Sequence, residues 1–143
     1  MPVRLLASDR CRGKGFSVKS EAIAAKNLIM LLNHERYQSS FDKAMACAVE
    51  CEHCAEACMG NPDMLKCARM CLDTAEICRA IATFMVRGSY FIAPLAMACS
   101  DICQTCAQEC EKHDLDHCQK CAQSCRTATE AYRKIAGTTM AAT

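Results

Sequence analysis

Apolar residues recur along this chain at spacings of three and four, the period of a helix with one buried face, and almost nowhere at the two-residue period of a strand. Glycine and proline are scarce and fall where that pattern stops. Gly60-Asn61-Pro62 reads as a helix end followed by a helix start: Gly60 suits the left-handed residue after a helix, Asn61 an N-cap and Pro62 the first helical position. Arg87-Gly88-Ser89 repeats that logic, with Gly88 as stop and Ser89 as a cap, and Pro94 must then lie in or just before a first turn. His113-Asp114-Leu115-Asp116 is a tight polar corner in which either aspartate could cap the next helix, and Gly137 is expected to end the last one. The pattern predicts four helices, roughly 34–59, 62–86, 91–113 and 116–136. Short connections between long helices imply antiparallel neighbours, hence an all-α, up-down-up-down four-helix bundle over residues 34–137. Residues 20–32 either prolong the first helix backwards or form a short helix of their own. Residues 1–33 are set apart as an N-terminal extension, disordered over 1–19, and 138–143 as a flexible tail.

Three of these helices share one grammar. Glu50-Cys51-Glu52-His53-Cys54-Ala55-Glu56-Ala57-Cys58 resembles Ile102-Cys103-Gln104-Thr105-Cys106-Ala107-Gln108-Glu109-Cys110, and both resemble Gln119-Lys120-Cys121-Ala122-Gln123-Ser124-Cys125. At about 100° per residue, Cys47, Cys51, Cys54 and Cys58 fall at about 0°, 40°, −20° and 20° around the first helix. Cys99, Cys103, Cys106 and Cys110 repeat that spacing on the third. Cys67, Cys71 and Cys78 span about 40° on the second, and Cys118, Cys121 and Cys125 about 60° on the fourth. Each stripe is the seam a bundle helix turns towards its partners, so the cysteines are the predicted core. Glu50, Glu52, Glu56, Lys66, Arg69, Glu109, Glu111 and Lys120 fall mostly on the opposite faces. Cys11 lies off the stripes and reads as a free thiol. His34 and His53 read as surface residues.

Composition sharpens this picture. Fifteen cysteines in 143 residues is about a tenth of the chain, a density typical of secreted disulfide scaffolds or of metal proteins. The count is odd, which fits a complete set of bridges poorly. Neighbours at i,i+3 and i,i+4 also hold their Cβ atoms about 5–6 Å apart, against about 3.8 Å in a disulfide. Bridges between helices remain open on spacing alone. No secretory signal opens the chain, so a cytosolic location with reduced thiols is expected. No run reaches the ~18 apolar residues of a membrane span; the longest candidate, 90–99, contains Pro94. Net charge is +1, which points neither to nucleic acid nor to a membrane. Residues 1–20 are locally basic, holding Arg4, Arg10, Arg12, Lys14 and Lys19 against Asp9, and read as a solvated tail. No hydrolytic or nucleotide-binding constellation is visible, so no enzyme activity is expected.

A buried free cysteine is a small hydrophobe, which accounts for one or two such residues but not for fourteen at positions where Leu and Ile pack better. Thiolates at i,i+3 or i,i+4 can straddle one soft ion, and facing helices supply further sulfurs. Cu(I) is the leading ion, with Zn(II) and Fe–S clusters as competitors. Charge separates them. Zinc held by four thiolates buries two negative charges at each site, whereas Cu(I) at about one ion per thiolate, each sulfur shared by two ions, leaves a neutral core. Iron–sulfur sites favour loop cysteines in C-x2-C-x2-C runs, which this chain lacks. Two other readings stay open: a zinc-stabilised structural bundle, and a thiol redox protein cycling Cys51/Cys54, Cys103/Cys106 or Cys118/Cys121. The candidate ligands are the fourteen stripe cysteines. Antiparallel order also gathers Met59, Met64, His113 and His117 at the end beside Cys58, Cys67, Cys110 and Cys118. Of these, Met64 and His113 join the candidate ligands as a mouth that passes ions inwards. The other end reads as an apolar plug of Tyr37, Phe41, Ala44, Ile81, Phe84, Leu95, Tyr132 and Ile135.

Over residues 34–136 the chain resembles the bacterial copper storage proteins, a family of cysteine-lined four-helix bundles. The resemblance rests on Cys51-Glu-His-Cys54-Ala-Glu-Ala-Cys58, Cys103-Gln-Thr-Cys106-Ala-Gln-Glu-Cys110-Glu-Lys-His113 and His117-Cys118-Gln-Lys-Cys121-Ala-Gln-Ser-Cys125. It implies uptake of many Cu(I) ions into a preformed reduced scaffold, a homotetramer, and a role in buffering, storing or detoxifying cellular copper. Among the family's forms this chain is similar to the cytosolic type. Thr74 and Ala75, and Ala128 and Thr129, stand where further cysteines could continue two stripes, so capacity should fall below that of the most cysteine-rich members. Residues 1–33 lie outside the resemblance, and Met30 is a plausible initiator.

Overall fold

Nothing between Gly15 and Cys58 is built to stop a helix, and none stops there. In the computed structural model, which describes residues 15–140, α1 runs unbroken over Gly15–Cys58. Residues 20–32 are mostly Ala, Leu, Ile, Met, Lys and Glu, largely good helix formers with no Pro or Gly, so the first helix is prolonged backwards rather than split. Residues 15–19, expected to be disordered, belong to this helix. Cys11, the remainder of 1–14, residues 141–143 and the His34 side chain lie outside the described residues.

The two predicted stops hold for the predicted reason. Gly60 has φ +91° and Gly88 φ +59°, the left-handed backbone that ends a helix cheaply only in glycine. The Asn61 side chain accepts the Asp63 N–H at 3.1 Å and opens a 3-10 turn over Pro62–Met64, which leads into α2, Leu65–Arg87. The Ser89 hydroxyl oxygen accepts the Phe91 N–H at 3.2 Å ahead of α3, Ile92–Cys110, with Pro94 in its first turn. Two boundaries differ from expectation. α3 ends at Cys110 rather than at 113, and α4 runs from Asp116 to Met140, straight through Gly137. Gly137 is not among the positive-φ glycines, and a glycine in helical geometry costs only about 1 kcal/mol relative to alanine, so it does not stop α4.

The helices close a ring in which α1 packs on α2 and α4, and α3 on α2 and α4. Sulfur pairs fix the antiparallel sense. Cys47, Cys51 and Cys54 of α1 meet Cys125, Cys121 and Cys118 of α4, while Cys67, Cys71 and Cys78 of α2 meet Cys110, Cys106 and Cys103 of α3. All fourteen stripe cysteines are buried and free, so no bridge forms between helices. The alanine that follows a stripe cysteine (Ala48, Ala55, Ala68, Ala107, Ala122) is buried as well, its small side chain letting neighbouring helices close over the sulfurs. At the end away from Gly60, Ala44, Ile81 and Tyr132 are fully buried, with Tyr37, Phe41, Phe84, Leu95 and Ile135 packed around them. That is the expected plug. On the outside, Arg79 pairs with Glu52 across α1 and α2 at 2.7 Å, and Arg126 of α4 grips Glu111, the residue after α3, through two bonds. Exposed pairs of this kind contribute at most about 1 kcal/mol each.

Candidate metal centre

The stripes converge on one another, so the sulfurs form a connected path rather than isolated pairs. Cys47, Cys78 and Cys103 start it beside the plug, drawn from α1, α2 and α3. Cys47 lies 3.6 Å from Cys125, which belongs to a quartet with Cys51, Cys106 and Cys121. A second quartet, Cys71, Cys106, Cys110 and Cys121, shares two of those sulfurs, and a third, Cys54, Cys67, Cys71 and Cys110, shares two more. Cys54 then leads to the last group, with Cys58, Cys118 and His117. Within each group the ligand atoms lie within 4.8 Å of one another. Every stripe cysteine but Cys99 is on this path. Cys99 is buried too, yet its thiol is turned to the Ile77 carbonyl at 3.8 Å.

Both ends of the path are defined by polar contacts. At the plug, the Tyr132 hydroxyl donates to Cys78 Sγ at 3.2 Å. Thr74 and Thr129 continue their stripes as buried residues whose hydroxyls donate to the Met70 and Cys125 carbonyls, each at 2.8 Å. At the mouth, His117 Nδ1 lies 3.4 Å from Cys54 Sγ and 3.5 Å from Cys118 Sγ. Met64 is buried over this end, whereas Met59 is 55% exposed. His53 is on the surface, as expected.

His113 and His117 exchange the places that the stripe angles suggest. Extended along the third stripe, His113 would sit about 20° beyond its edge at Cys106. α3 ends at Cys110, however, and His113 turns to Glu109, with its Nε2 buried, 3.9 Å from Glu109 Oε1 and without a hydrogen bond. His117 falls in the first turn of α4, about 40° beyond Cys121 on the helical wheel, close enough to swing over the mouth. That angle was the available signal for it. Glu109 also departs from the outward placement expected of the charged residues. It is buried, bridged by Lys66 at 3.0 Å and Lys112 at 2.7 Å, and these cations hold its carboxyl below the usual range, Lys112 most strongly.

Without metal the thiols are held protonated where burial dominates. Removal from water pushes Cys58, Cys67 and Cys99 up to about 12, with the negative charge that Cys54 and Cys71 would carry adding to the effect at Cys58 and Cys67 respectively. Burial moves Cys118 the same way, and Tyr132 is likewise raised by burial and by the neighbouring Cys78. Such a core can accept a soft cation only by giving up protons, and it can accept many because adjacent groups share sulfurs.

A family model for copper storage proteins matches residues 33–137. The chain belongs to the copper storage protein family. A cysteine-rich protein of Bacillus subtilis (strain 168), YhjQ, is 34% identical over 106 residues, which is 71% of this chain and 98% of that one. Among solved structures, the Cu(I)-bound copper storage protein BsCsp3 is 33% identical and superposes with a TM-score of 0.67, over 70% of this chain and 97% of its own. A cytosolic copper storage protein from Streptomyces lividans, captured with five coppers, is 29% identical with a TM-score of 0.69, over 74% and 96% of the two chains. The region shared with this copper storage family is the bundle that carries the sulfur path. The first half of α1 precedes it.

Proposed function

We propose that this protein stores Cu(I), holding many ions at once on the thiolates of Cys47, Cys51, Cys54, Cys58, Cys67, Cys71, Cys78, Cys99, Cys103, Cys106, Cys110, Cys118, Cys121 and Cys125. The observation that carries the proposal is the connected path of buried sulfurs. Overlapping groups allow an ion in one group to share a thiolate with the next, which is how a monovalent soft ion keeps a dry interior close to neutral. Ions enter past Met64 and His117 and move inwards by exchange between neighbouring sulfurs. His113, paired towards Glu109, acts at the rim, and Met64 covers the outermost thiols. The role is storage or detoxification in the cytosol rather than catalysis, and the assembly is a homo-oligomer, a tetramer by family resemblance. Neither nucleic acid nor a membrane is a partner on this reading. No helix of the described residues is long and apolar enough to cross a bilayer, and the net charge is only +1.

Anaerobic titration of the reduced protein with Cu(I) against a competing chelator tests this. Saturation near the number of stripe cysteines is expected. Saturation after one or two ions would end the storage reading in favour of a single-site metalloprotein.

A further inference from the structure

The group at the mouth differs in kind from those inside. It combines three thiols, Cys54, Cys58 and Cys118, with one imidazole, His117, whereas the groups deeper in the bundle are sulfur only. Three thiolates and one histidine form a recognised tetrahedral zinc set. A tetrahedron with Zn–S of about 2.3 Å and Zn–N of about 2.0 Å has S···S edges of about 3.8 Å and S···N edges of about 3.5 Å. The measured edges are 3.8 Å for Cys54–Cys118 and 4.0 Å for Cys54–Cys58. From His117 Nδ1 they are 3.4 Å to Cys54 and 3.5 Å to Cys118. The remaining two edges, from Cys58, are within 4.8 Å.

Charge separates this quartet from the interior in the same direction. A divalent ion on four thiolates leaves two negative charges in a fully buried core, while on three thiolates and a neutral imidazole it leaves one. That one lies at the end of the bundle, where His117 is only half-buried and water can share it. A single monovalent ion on the quartet would leave two negative charges, so when one ion sits there alone a dication brings the quartet closer to neutral. Cys118 and His117 also lie in the first turn of α4, whose N-terminal dipole favours an anionic site. Imidazole is in addition a ligand well suited to zinc.

We propose that Cys54, Cys58, Cys118 and His117 form a zinc(II) site at the mouth, which in the copper-free protein ties the C-terminal turn of α1 to the N-terminal turn of α4. Binding releases three thiol protons and involves no oxidation or reduction. Because Cys54 also belongs to the quartet with Cys67, Cys71 and Cys110, copper loading displaces the zinc. This last step alone rests on the storage reading; the site itself requires only reduced thiols.

The test is an anaerobic titration of full-length, reduced, metal-free protein with Co(II) as a spectroscopic probe, followed by displacement with Zn(II). One tight equivalent is expected, with the ligand-field bands of a tetrahedral centre of three sulfurs and one nitrogen, displaced one for one by zinc. His117→Ala and Cys58→Ser should each weaken it about tenfold or more, with far-UV circular dichroism showing that the variants remain folded. Cys103→Ser, deep in the bundle, should leave it unchanged. A titration without a break at one equivalent overturns the proposal, as does a one-equivalent site that survives His117→Ala and Cys58→Ser but is lost in Cys103→Ser. Cu(I) capacity is measured on the same samples. Full copper capacity without a tight zinc equivalent sinks the zinc site and spares the storage reading, and the converse result does the reverse.

Discussion

Tyr132 is the largest side chain sealed inside the bundle, and its hydroxyl donates to Cys78 Sγ in the trio nearest the plug. Two jobs meet in it: the ring fills the closed end, and the O–H satisfies itself on a sulfur. Tyr132→Phe separates them. It keeps the packing and removes one buried hydrogen bond, so the copper-free protein should lose about 1 kcal/mol in denaturant unfolding while its Cu(I) capacity stays the same. Loss of several ions of capacity would instead make the hydroxyl part of the store. At this scale the sequence was informative for the apolar and cysteine positions inside regular helices, whereas Glu109 of α3 is buried against expectation. The fourteen stripe cysteines and the plug residues all lie where their angles place them. The rule failed where a helix ends, because an angle means nothing once the backbone leaves helical geometry. His113 lies three residues beyond the end of α3 and turns to Glu109, while His117, inside α4, lies beside Cys54 and Cys118.

At the scale of elements, the feature least legible in advance is the first half of α1. Helix formers without a stop signal carry the helix back to Gly15, but the described apolar side chains along this stretch do not go into the core. Val18, Ile23, Leu28, Leu31 and Leu32 are each more than half exposed. Local propensity explains that a helix forms here; it does not give the helix a partner in this chain. Deleting residues 1–33 should therefore leave the bundle folded, with Cu(I) capacity unchanged and the thermal midpoint moved by no more than a few degrees. Calorimetry and a copper titration of the truncated protein check this. A collapse of helicity over the remaining residues would show that the N-terminal half of α1 supports the core. Gly88 and Gly137 give the complementary lesson. A glycine stops a helix when its φ is positive, as at Gly88, and not merely because it is glycine. Its residue type alone does not distinguish the two cases.

For the whole molecule, the scaffold and the cargo set opposite demands on the same thiols. The scaffold is complete without metal. Its loops carry their own glycine stops and Asn61 cap, its plug is apolar, and its sulfurs hydrogen-bond to one another. Chelation should accordingly leave it helical, unlike a small domain whose folding energy comes from its metal. Neutrality is the condition. Cys58, Cys67 and Cys99 hold their protons up to about 12, against an ordinary value of 9.0. Across that window the folded protein binds more protons than the unfolded chain, so its stability must fall as the pH rises. Below the window both states hold these protons, and stability no longer depends on them. Copper reverses the dependence, because a bound thiolate has already lost its proton. At neutral pH each ion taken up releases protons, so apparent affinity strengthens with rising pH. Denaturant midpoints of the copper-free protein should therefore decline between pH 9 and 12, while those of the fully loaded protein stay nearly level. If both forms decline together, the stripe thiols are not the groups that bind the copper.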